Sequence, residues 1–296
     1  MKPQSRITLT VLSLFLIFNA QPVVGQTTFK IDPKTTTFIG NAVIECIYNY
    51  TVNAPLKDSL DKKKKETYKT ILQANSSVSK YWDWHTFKRD SIILSSDTAL
   101  SSNKLSRLKD IYLYLVRNLL TSEVIKNHPN GKITNKDVIV PDDYVYTEDK
   151  TDRNWRLKDD TMTVCGYKCN NATCSFGGRD WNVWFTPEIA ISDGPWKLFG
   201  LPGLILKAED LSGTHTFEAI IIRNSNRPIY FNKDVTQIKT TKGVFIKNKI
   251  IFEKDPVLNT PRSQIKDGFV LNGVFIINKK YPMVERQTIY CPLEFK

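Results

Sequence analysis

The feature that most constrains this chain is a succession of short segments rich in β-branched and aromatic residues. Between residues 44 and 52 every second position is apolar or aromatic, a period typical of a half-buried strand. A similar segment follows at 67–78, and glycine, asparagine, aspartate or proline separates later ones at 144–147, 153–157, 180–185, 204–209, 214–223 and 269–277. Many short strands joined by such turns favour an antiparallel sheet. We therefore predict a mainly β (α+β) fold, a curved antiparallel sheet or half-barrel with one or two packed helices.

Helical patterns are fewer. Residues 104–120 place leucine, isoleucine and tyrosine at the i, i+3, i+4, i+7 spacing of an amphipathic helix. A second region, 79–89, concentrates aromatic side chains at Tyr81, Trp82, Trp84 and Phe87. These rings could form a stacking platform for sugars or bases, but their spacing favours a short helix packed on the sheet. No long linker or internal repeat divides the chain, which predicts a single domain over residues 26–296.

The N-terminal 25 residues have the order of a secretory signal peptide. Lys2 and Arg6 precede an apolar stretch at 7–18, and Gly25 marks a cleavage point. A membrane anchor is the competing interpretation, but polar residues and a proline interrupt the apolar stretch well before the ~20 residues of a spanning helix. We therefore expect an exported protein of the periplasm or outer-membrane periphery, or one released from the cell, with no transmembrane segment after cleavage.

The chain is basic, with 42 Lys and Arg against 30 Asp and Glu, a formal charge of +12. Removal of residues 1–25 takes away two basic residues, so the mature chain keeps 40 against 30, or +10. Export separates the protein from cytoplasmic nucleic acid, which is not an expected partner. The basic surplus instead favours an anionic envelope surface, at an affinity that salt weakens. Residues 57–65, rich in lysine, are predicted to form a solvated hairpin or loop.

The five cysteines, Cys46, Cys165, Cys169, Cys174 and Cys291, are an odd number in a chain whose export permits disulfides. Several pairings are open, among them a local bridge between Cys165 and Cys174. A metal site is disfavoured because the C-x3-C and C-x4-C spacings differ from those of zinc ribbons and none of the three histidines lies near the cluster in sequence. We predict neither a metal nor a cofactor.

The most distinctive block spans residues 167–210 and contains Gly200-Leu201-Pro202-Gly203-Leu204-Ile205. This hexapeptide resembles the signature of the GLPGLI family of exported proteins, found widely in Bacteroidota. The surrounding Gly178-Arg179, Trp184-Phe185-Thr186, Glu188-Ile189 and Gly194-Pro195 also match that family's pattern. The resemblance is strong over residues 160–210 and weak over the rest of the mature chain. It implies an exported protein of unestablished biochemical function. Cys291 stands where the family's C-terminal ending has asparagine, and this departure suggests a disulfide with Cys46 as the candidate partner.

Proline followed by glycine in Leu201-Pro202-Gly203-Leu204 predicts a type II turn, followed by a strand covered on both faces. The favoured interpretation is a turn that locks one sheet edge into the core. The alternative is an apolar groove for a ligand or partner. Strand alternation places Trp181 and Trp184 on opposite faces, and either one could face that groove. The candidate groove residues are Arg179, Trp184, Trp196, Phe199, Leu201, Pro202 and Leu204.

No nucleophile elbow, H-E-x-x-H zinc motif, P-loop or Rossmann glycine pattern is present in the sequence. Glu188 and Asp193, near the signature, are a carboxylate pair that could serve as acid and base. The sequence therefore favours an exported, non-enzymatic binding or accessory protein of the cell envelope, with an outer-membrane protein or an apolar or peptide ligand as partner. The alternatives are an envelope hydrolase that uses this pair and a purely structural envelope-assembly factor.

Overall fold

The computed structural model describes residues 36–56, 59–94, 120–139, 142–232, 237–254, 269–271 and 274–276. Within these ranges the protein is mostly β, with two helices, α1 (Trp84–Leu94) and α2 (Lys242–Lys254). The strands are β1 (Thr36–Asn41), β2 (Ile44–Leu56), β3 (Ser59–Ala74), β4 (Ser79–Asp83), β5 (Glu123–Lys126), β6 (Lys132–Ile139), β7 (Asp142–Asp149), β8 (Arg156–Val164), β9 (Tyr167–Phe176), β10 (Arg179–Thr186), β11 (Leu204–Asp210), β12 (His215–Asn224), β13 (Pro228–Asn232), β14 (Ile238–Lys239), β15 (Phe269–Leu271) and β16 (Val274–Ile276).

Twelve of these strands form one open sheet in the order β14-β7-β6-β5-β4-β3-β2-β12-β11-β10-β9-β8. All neighbours are antiparallel except the short β14, which runs parallel to β7. Two further two-stranded ribbons pair β1 with β13 and β15 with β16. The prediction of a mainly β (α+β) fold is confirmed, and its antiparallel sheet is not closed into a barrel.

The two faces of the sheet carry different layers. We call the face that presents Tyr48 and Leu72 the inner face; it carries the largest hydrophobic cluster, which includes Trp181 and Phe217. The opposite, outer face is covered by α1 and by the β1–β13 ribbon. There Ile47 and Ile71 pack against aromatic side chains of β4 and α1, while Ile125 packs against Ile229 of the ribbon. Strand alternation therefore divides each central strand between two separate clusters.

Helix α1 begins where β4 ends, at a residue that can cap it. The Asp83 carboxylate accepts a hydrogen bond of 2.6 Å from the backbone N–H of Thr86, the arrangement of an N-cap. Phe87 and Ile92 are buried on the side of the helix that faces the sheet. The aromatic run at 79–89 thus divides between β4 and the first turn of α1. The predicted short helix on the sheet is confirmed from Trp84 on and is wrong for Tyr81 and Trp82, which lie on the strand.

The strand predicted at 44–52 is confirmed within β2, and the strand predicted at 67–78 falls in β3 and the turn that follows it. Because β3 pairs with β2 as far as Ser59, lysines 62–65 lie in a hairpin strand and not in a loop, and Lys63 and Lys65 are exposed. The signal segment, nearly all of the predicted helix at 104–120, and Cys291 lie outside the described residues. Within the described part of the chain, neither helix is long and apolar enough to cross a membrane.

Candidate functional site

The signature hexapeptide forms a tighter turn than the sequence predicts. The Gly203 N–H donates to the Leu201 carbonyl at 2.8 Å, which closes a three-residue γ-turn around Pro202. The Leu204 N–H donates to the Ile189 carbonyl at 3.1 Å, whereas in a hydrogen-bonded type II turn it would donate to the Leu201 carbonyl. The prediction of a type II turn is therefore wrong, because the Leu204 N–H is bonded to the carbonyl of Ile189 in the preceding loop. The strand that follows is covered on both faces, as predicted: Leu204, Ile205 and Leu206 are all buried.

The structure places most of the candidate groove residues in the core. Trp196, Phe199, Leu201 and Leu204 are at most 4% exposed and belong to the largest hydrophobic cluster. Pro202 is exposed, Trp184 is half-buried, and Arg179 pairs with Asp210 at 2.7 Å. The predicted alternation in β10 is confirmed, with Trp181 in the core and Trp184 on the other side. These seven side chains are thus not brought together along one open surface.

Two buried lysines hold the loop that precedes the signature against the inner face. The Lys126 ammonium donates to the carbonyls of Gly194 and Trp196 at 2.6 and 3.0 Å and pairs with Asp193. The Lys197 ammonium contacts Glu148 at 2.5 Å and the Tyr146 hydroxyl at 3.2 Å. Burial lowers the pKa of Lys126 below its ordinary value even though Asp193 opposes the shift.

Arg153 is a third cation that holds the loop preceding the signature. Its guanidinium lies 3.8 Å from the ring centre of Phe176 and 4.2 Å from that of Phe199, and it donates to the Lys197 carbonyl at 3.1 Å. Such stacking combines a delocalised charge with apolar contact. The interpretation of the signature as a locked structural turn therefore agrees with its contacts.

The carboxylate pair near the signature has separate partners. Glu188 is exposed and accepts a 3.3 Å hydrogen bond from the backbone of Lys168. Asp193 is buried against Lys126 and accepts from the Gly194 N–H at 2.6 Å. The two carboxylates thus make different contacts, Glu188 with the backbone of β9 and Asp193 with Lys126 and its own loop.

Within the described ranges, Cys46, Cys165, Cys169 and Cys174 form no disulfide with one another. Cys165 lies in the turn before β9, whereas Cys174 lies near the far end of that strand, opposite Trp181. At about 3.3 Å per residue the two are roughly 20 Å apart, far beyond the ~7 Å that a disulfide spans between Cα atoms. The predicted Cys165–Cys174 bridge is therefore wrong, and the pairing of Cys46 with Cys291 involves a residue that is not described.

A cleft of about 710 Å³ opens on the outer face between α1, strands β4 to β7 and strand β13. We call it the outer-face cleft. Its volume falls within the ~300–1,000 Å³ typical of small-molecule sites. The side chains that the argument below uses are Trp82, Trp84, Phe87, Asp90, Glu123 and Tyr230. Sequence analysis missed this site because its residues come from distant segments; the aromatic run at 79–89 was the one signal of it.

Glu123 anchors the floor of the cleft through two lysines. Its carboxylate lies 3.1 Å from the Lys80 ammonium and 3.7 Å from that of Lys136. The same two lysines donate to the backbone carbonyls of Tyr230 and Asn232, which holds β13 over the sheet. Burial alone would raise the pKa of Glu123, but the two ammonium groups outweigh it and lower the pKa below its usual range.

Two aspartates of the cleft behave in the opposite way. Burial raises the pKa of Asp83 to about 6 although the N–H of Thr86 opposes the shift. Burial also raises the pKa of Asp90 to about 6, against the attraction of Arg89 and Lys80. The cleft therefore combines carboxyl groups that are ionised at neutral pH with others that titrate close to it, a combination enriched at functional sites.

Two residues that line the cleft each carry a buried polar atom with no hydrogen-bond partner among the described residues, Trp82 Nε1 and Asp83 Oδ2. Trp82 is 7% exposed and Asp83 only 2%. Nearly all buried polar groups in folded proteins have a partner, and an unpaired one costs about 1–3 kcal/mol.

Replacing Asp90 by asparagine should change how the stability of the protein depends on pH, because the substitution removes a buried carboxyl group whose pKa is raised. In wild type the folded-state pKa of about 6 exceeds the ordinary 3.8, so ionisation of Asp90 destabilises the fold as pH rises through this window. We expect the stability of Asp90→Asn relative to wild type to increase by about 3 kcal/mol between pH 4 and pH 7.5. Urea denaturation of both proteins across this range measures it. A stability difference that is independent of pH would contradict the raised pKa.

The described residues contain no group of three or more histidine, cysteine, aspartate or glutamate side chains placed to hold a metal ion. The cleft is lined by carboxylates, basic side chains and aromatic rings.

Among families of known proteins, residues 178–207 match the model of one described as a protein of unknown function (Porph_ging). This segment covers β10, the signature loop and the start of β11. It is a match to part of the chain, and it names no activity. No curated protein matches.

Two solved structures, both of PNGF-II, resemble the fold. In the P21 space group the TM-score is 0.44 at 14% sequence identity, and the alignment covers 70% of this chain and 33% of that one. In the C2 space group the TM-score is 0.40 at 15% identity, with coverage of 71% and 33%. The aligned region is about a third of the length of PNGF-II, and a likeness at these TM-scores supports no conclusion about function.

Proposed function

We propose that the protein is an exported, non-enzymatic binding or accessory protein of the cell envelope, and that it binds its ligand in the outer-face cleft. The observation that carries this proposal is a cleft of ligand size whose lining combines aromatic rings with acidic and basic side chains. Export rests on the N-terminal sequence, where two cationic residues precede an apolar stretch of signal-peptide length.

The signature loop has a supporting role in this proposal. Its large apolar side chains lie in the core, Lys126 of β5 binds its carbonyls and its own Lys197 pairs with Glu148, so it offers a ligand little free surface. It fixes the inner face of the same sheet whose outer face carries the cleft. A peptide or an outer-membrane protein remains a candidate occupant of the cleft.

The basic surplus gives the protein a second, weaker means of association with the envelope. Lys63, Lys65 and Lys69 occupy alternate positions of β3 and are all exposed, so their ammonium groups lie along one side of the long β2–β3 hairpin. Such a row attracts anionic lipid head groups through a screened interaction. We infer that it brings the protein to the membrane surface and that ligand recognition takes place in the cleft.

Export is tested by fractionating cells that produce the full-length chain. The account predicts that the protein is found in the periplasmic or outer-membrane fraction, and that its mature N-terminus, read by mass spectrometry, is Gln26. Intact chain in the cytoplasm, still beginning at Met1, would contradict export.

Binding is tested by native mass spectrometry of the protein after incubation with a detergent-solubilised envelope fraction. We expect an added mass on the wild type, reduced at least tenfold in Trp84→Ala, whose half-buried ring lines the cleft. Leu157→Ala, on the exposed edge strand β8, is the control and should bind as wild type does. No added mass on the wild type, or equal loss in both variants, would contradict binding in the cleft.

A further inference from the structure

Resting on the proposed function, we propose that the outer-face cleft receives the phosphate-bearing head group of an anionic envelope lipid, and that the protein meets the membrane through a basic surface that runs from the β2–β3 hairpin to the cleft. The members of this basic surface are Lys63, Lys65, Lys69, Lys88, Arg223 and Arg227.

The lysine row of β3 lies on the same face of the sheet as the cleft. Ile71 packs with Trp82 and Phe87 beneath α1, which places its side chain on the outer face. Because β3 pairs with β2 regularly from residue 63 to residue 74, the exposed side chains at 63, 65, 67 and 69 project to that same face. Their cross-strand partners on β2 are all uncharged: Asn49, Thr51, Asn53 and Pro55. The row therefore leads along the outer face towards α1.

Helix α1 continues the row. Burial lowers the pKa of His85 to about 4, and the positive charges of Lys88 and Lys69 add to the shift. Two ammonium groups, one from the helix and one from β3, thus act on the same imidazole in the first turn of α1. The one carboxylate of this helix, Asp90, is 8% exposed and pairs with Arg89. The exposed side of α1 is therefore basic.

Three cations surround a pair of stacked rings where α1 borders the cleft. The ring centres of Trp84 and Phe87 are 5.2 Å apart. The Lys88 ammonium lies 5.8 Å and the Arg223 guanidinium 5.7 Å from the ring centre of Trp84. The Arg227 guanidinium lies 5.5 Å from that of Phe87. Such cation–π contacts hold a charged group in place and leave its charge uncancelled, so the rings support the cations of this end of the cleft.

Two arginines at this end keep donors for an anion. Arg223 donates through Nε and Nη2 to the buried carboxylate of Glu45, and its Nη1 has no hydrogen-bond partner among the described residues. Arg227 is exposed, and within the described part of the chain its guanidinium forms neither an ion pair nor a hydrogen bond. A guanidinium is always charged and presents planar pairs of N–H groups that match a phosphate. Arg227 is therefore the side chain best placed to bind one.

Other cations hold the remaining carboxylates of the cleft, which are Asp83, Glu123, Asp137 and Asp143. Lys80 and Lys136 pair with Glu123, and Lys249 pairs with Asp137. Burial lowers the pKa of Lys136, and the charges of Glu123 and Asp143 oppose that shift. Asp83 is 2% exposed and caps α1. None of these lysines belongs to the basic surface, so the carboxylates of the cleft leave the charge of that surface in place.

A membrane that contains anionic phospholipids complements this arrangement. Each lysine or arginine near such a membrane strengthens binding by about fivefold. Anionic phospholipids share a phosphate, which arginine binds through two parallel hydrogen bonds. Because the lysine row and the arginines at the cleft lie on one face, a single contact with the membrane engages both. The cleft then receives a head group that is still part of the membrane.

The test is co-sedimentation of the mature protein with vesicles of phosphatidylcholine alone or of equal parts of phosphatidylcholine and phosphatidylglycerol. We expect binding to the anionic vesicles only, and weaker binding as salt is added. Lys65→Gln should bind about fivefold more weakly, the effect of one surface charge. Arg227→Gln should bind about tenfold more weakly or worse, because it also removes the hydrogen bonds to the phosphate.

Arg156→Gln is the matched control. It removes the same charge from an exposed arginine of β8, four strands beyond β12 in the sheet, and should bind as wild type does. Equal losses in Arg156→Gln and Arg227→Gln would reduce the effect to net charge and overturn the head-group site. Equal binding of wild type to both kinds of vesicle would also overturn it. Binding to polyglutamate in place of the anionic vesicles would assign the basic surface to an acidic polypeptide and overturn the lipid.

Failure of this inference can be separated from failure of the proposed function. No binding to either vesicle, together with an added mass from the envelope fraction that Trp84→Ala loses, would overturn the lipid head group and leave binding in the cleft intact. No binding to vesicles and no added mass from the envelope fraction would overturn both.

Discussion

Replacing Gly203 by alanine is expected to destabilise the protein by about 4 kcal/mol or more, the range of the most severe single substitutions. Gly203 has a backbone φ of +151°, which side-chain-bearing residues rarely adopt. A Cβ atom there would lie 2.1 Å from the Thr186 carbonyl oxygen and 2.9 Å from the Pro187 nitrogen. Both are backbone atoms at the end of β10, so neither can turn away as a flexible side chain would. Urea denaturation measures the loss.

Gly213→Ala is the matched control. Gly213 also has a positive φ, +69°, but a Cβ atom there would meet nothing within 4 Å. Its substitution therefore measures the backbone cost alone, about 1–2 kcal/mol. A loss at Gly203 no larger than the loss at Gly213 would show that the close approach of the signature turn to β10 is absent, and the account of the hexapeptide as a locked turn would fail.

Lys126→Met is expected to cost about 3–5 kcal/mol, the penalty for removing one partner of a buried ion pair. The substitution leaves Asp193 buried without its cation and the carbonyls of Gly194 and Trp196 without their donor. The double variant Lys126→Met/Asp193→Asn should lose less than the single variant, because no unpaired charge remains in the core. Denaturant titration of the three proteins at pH 7 provides the comparison.

The control for this prediction is an exposed pair on the same sheet. Lys132 and Asp149 lie 2.6 Å apart with side chains 46% and 71% exposed, so Lys132→Met should change stability by less than about 1 kcal/mol. If the two lysine substitutions have equal effects, burial of Lys126 beneath the signature loop is not what stabilises that loop.

Local pattern was sufficient to predict the β class, the strand at 44–52 and the alternation of Trp181 and Trp184. Each depends on a period of two residues along a strand, and that period is visible in the sequence. The turn at Pro202 was mispredicted for a reason outside the hexapeptide. The Leu204 N–H bonds to Ile189, a residue fifteen positions earlier, and turn preferences contain no information about such a partner.

The outer-face cleft also could not be predicted from the sequence, because its residues are distant from one another along the chain. Asp90 and Glu123 are brought to one cleft by α1 and β5, and Tyr230 reaches it through a ribbon that two lysines hold over the sheet. Sequence analysis favoured a structural interpretation of the aromatic run at 79–89. The structure supports that for Phe87, which packs on Ile47 and Ile71, while Trp82 combines a buried ring with an unpartnered N–H.

The most direct test of the central claim, that the outer-face cleft is the binding site, is hydrogen–deuterium exchange with and without a solubilised envelope fraction. The account predicts slower exchange on ligand addition in residues 82–92, 120–126 and 228–232, which surround the cleft. Exchange in residues 194–205, the signature loop, should stay unchanged. Protection confined to residues 194–205, with the segments around the cleft unaffected, would contradict the account.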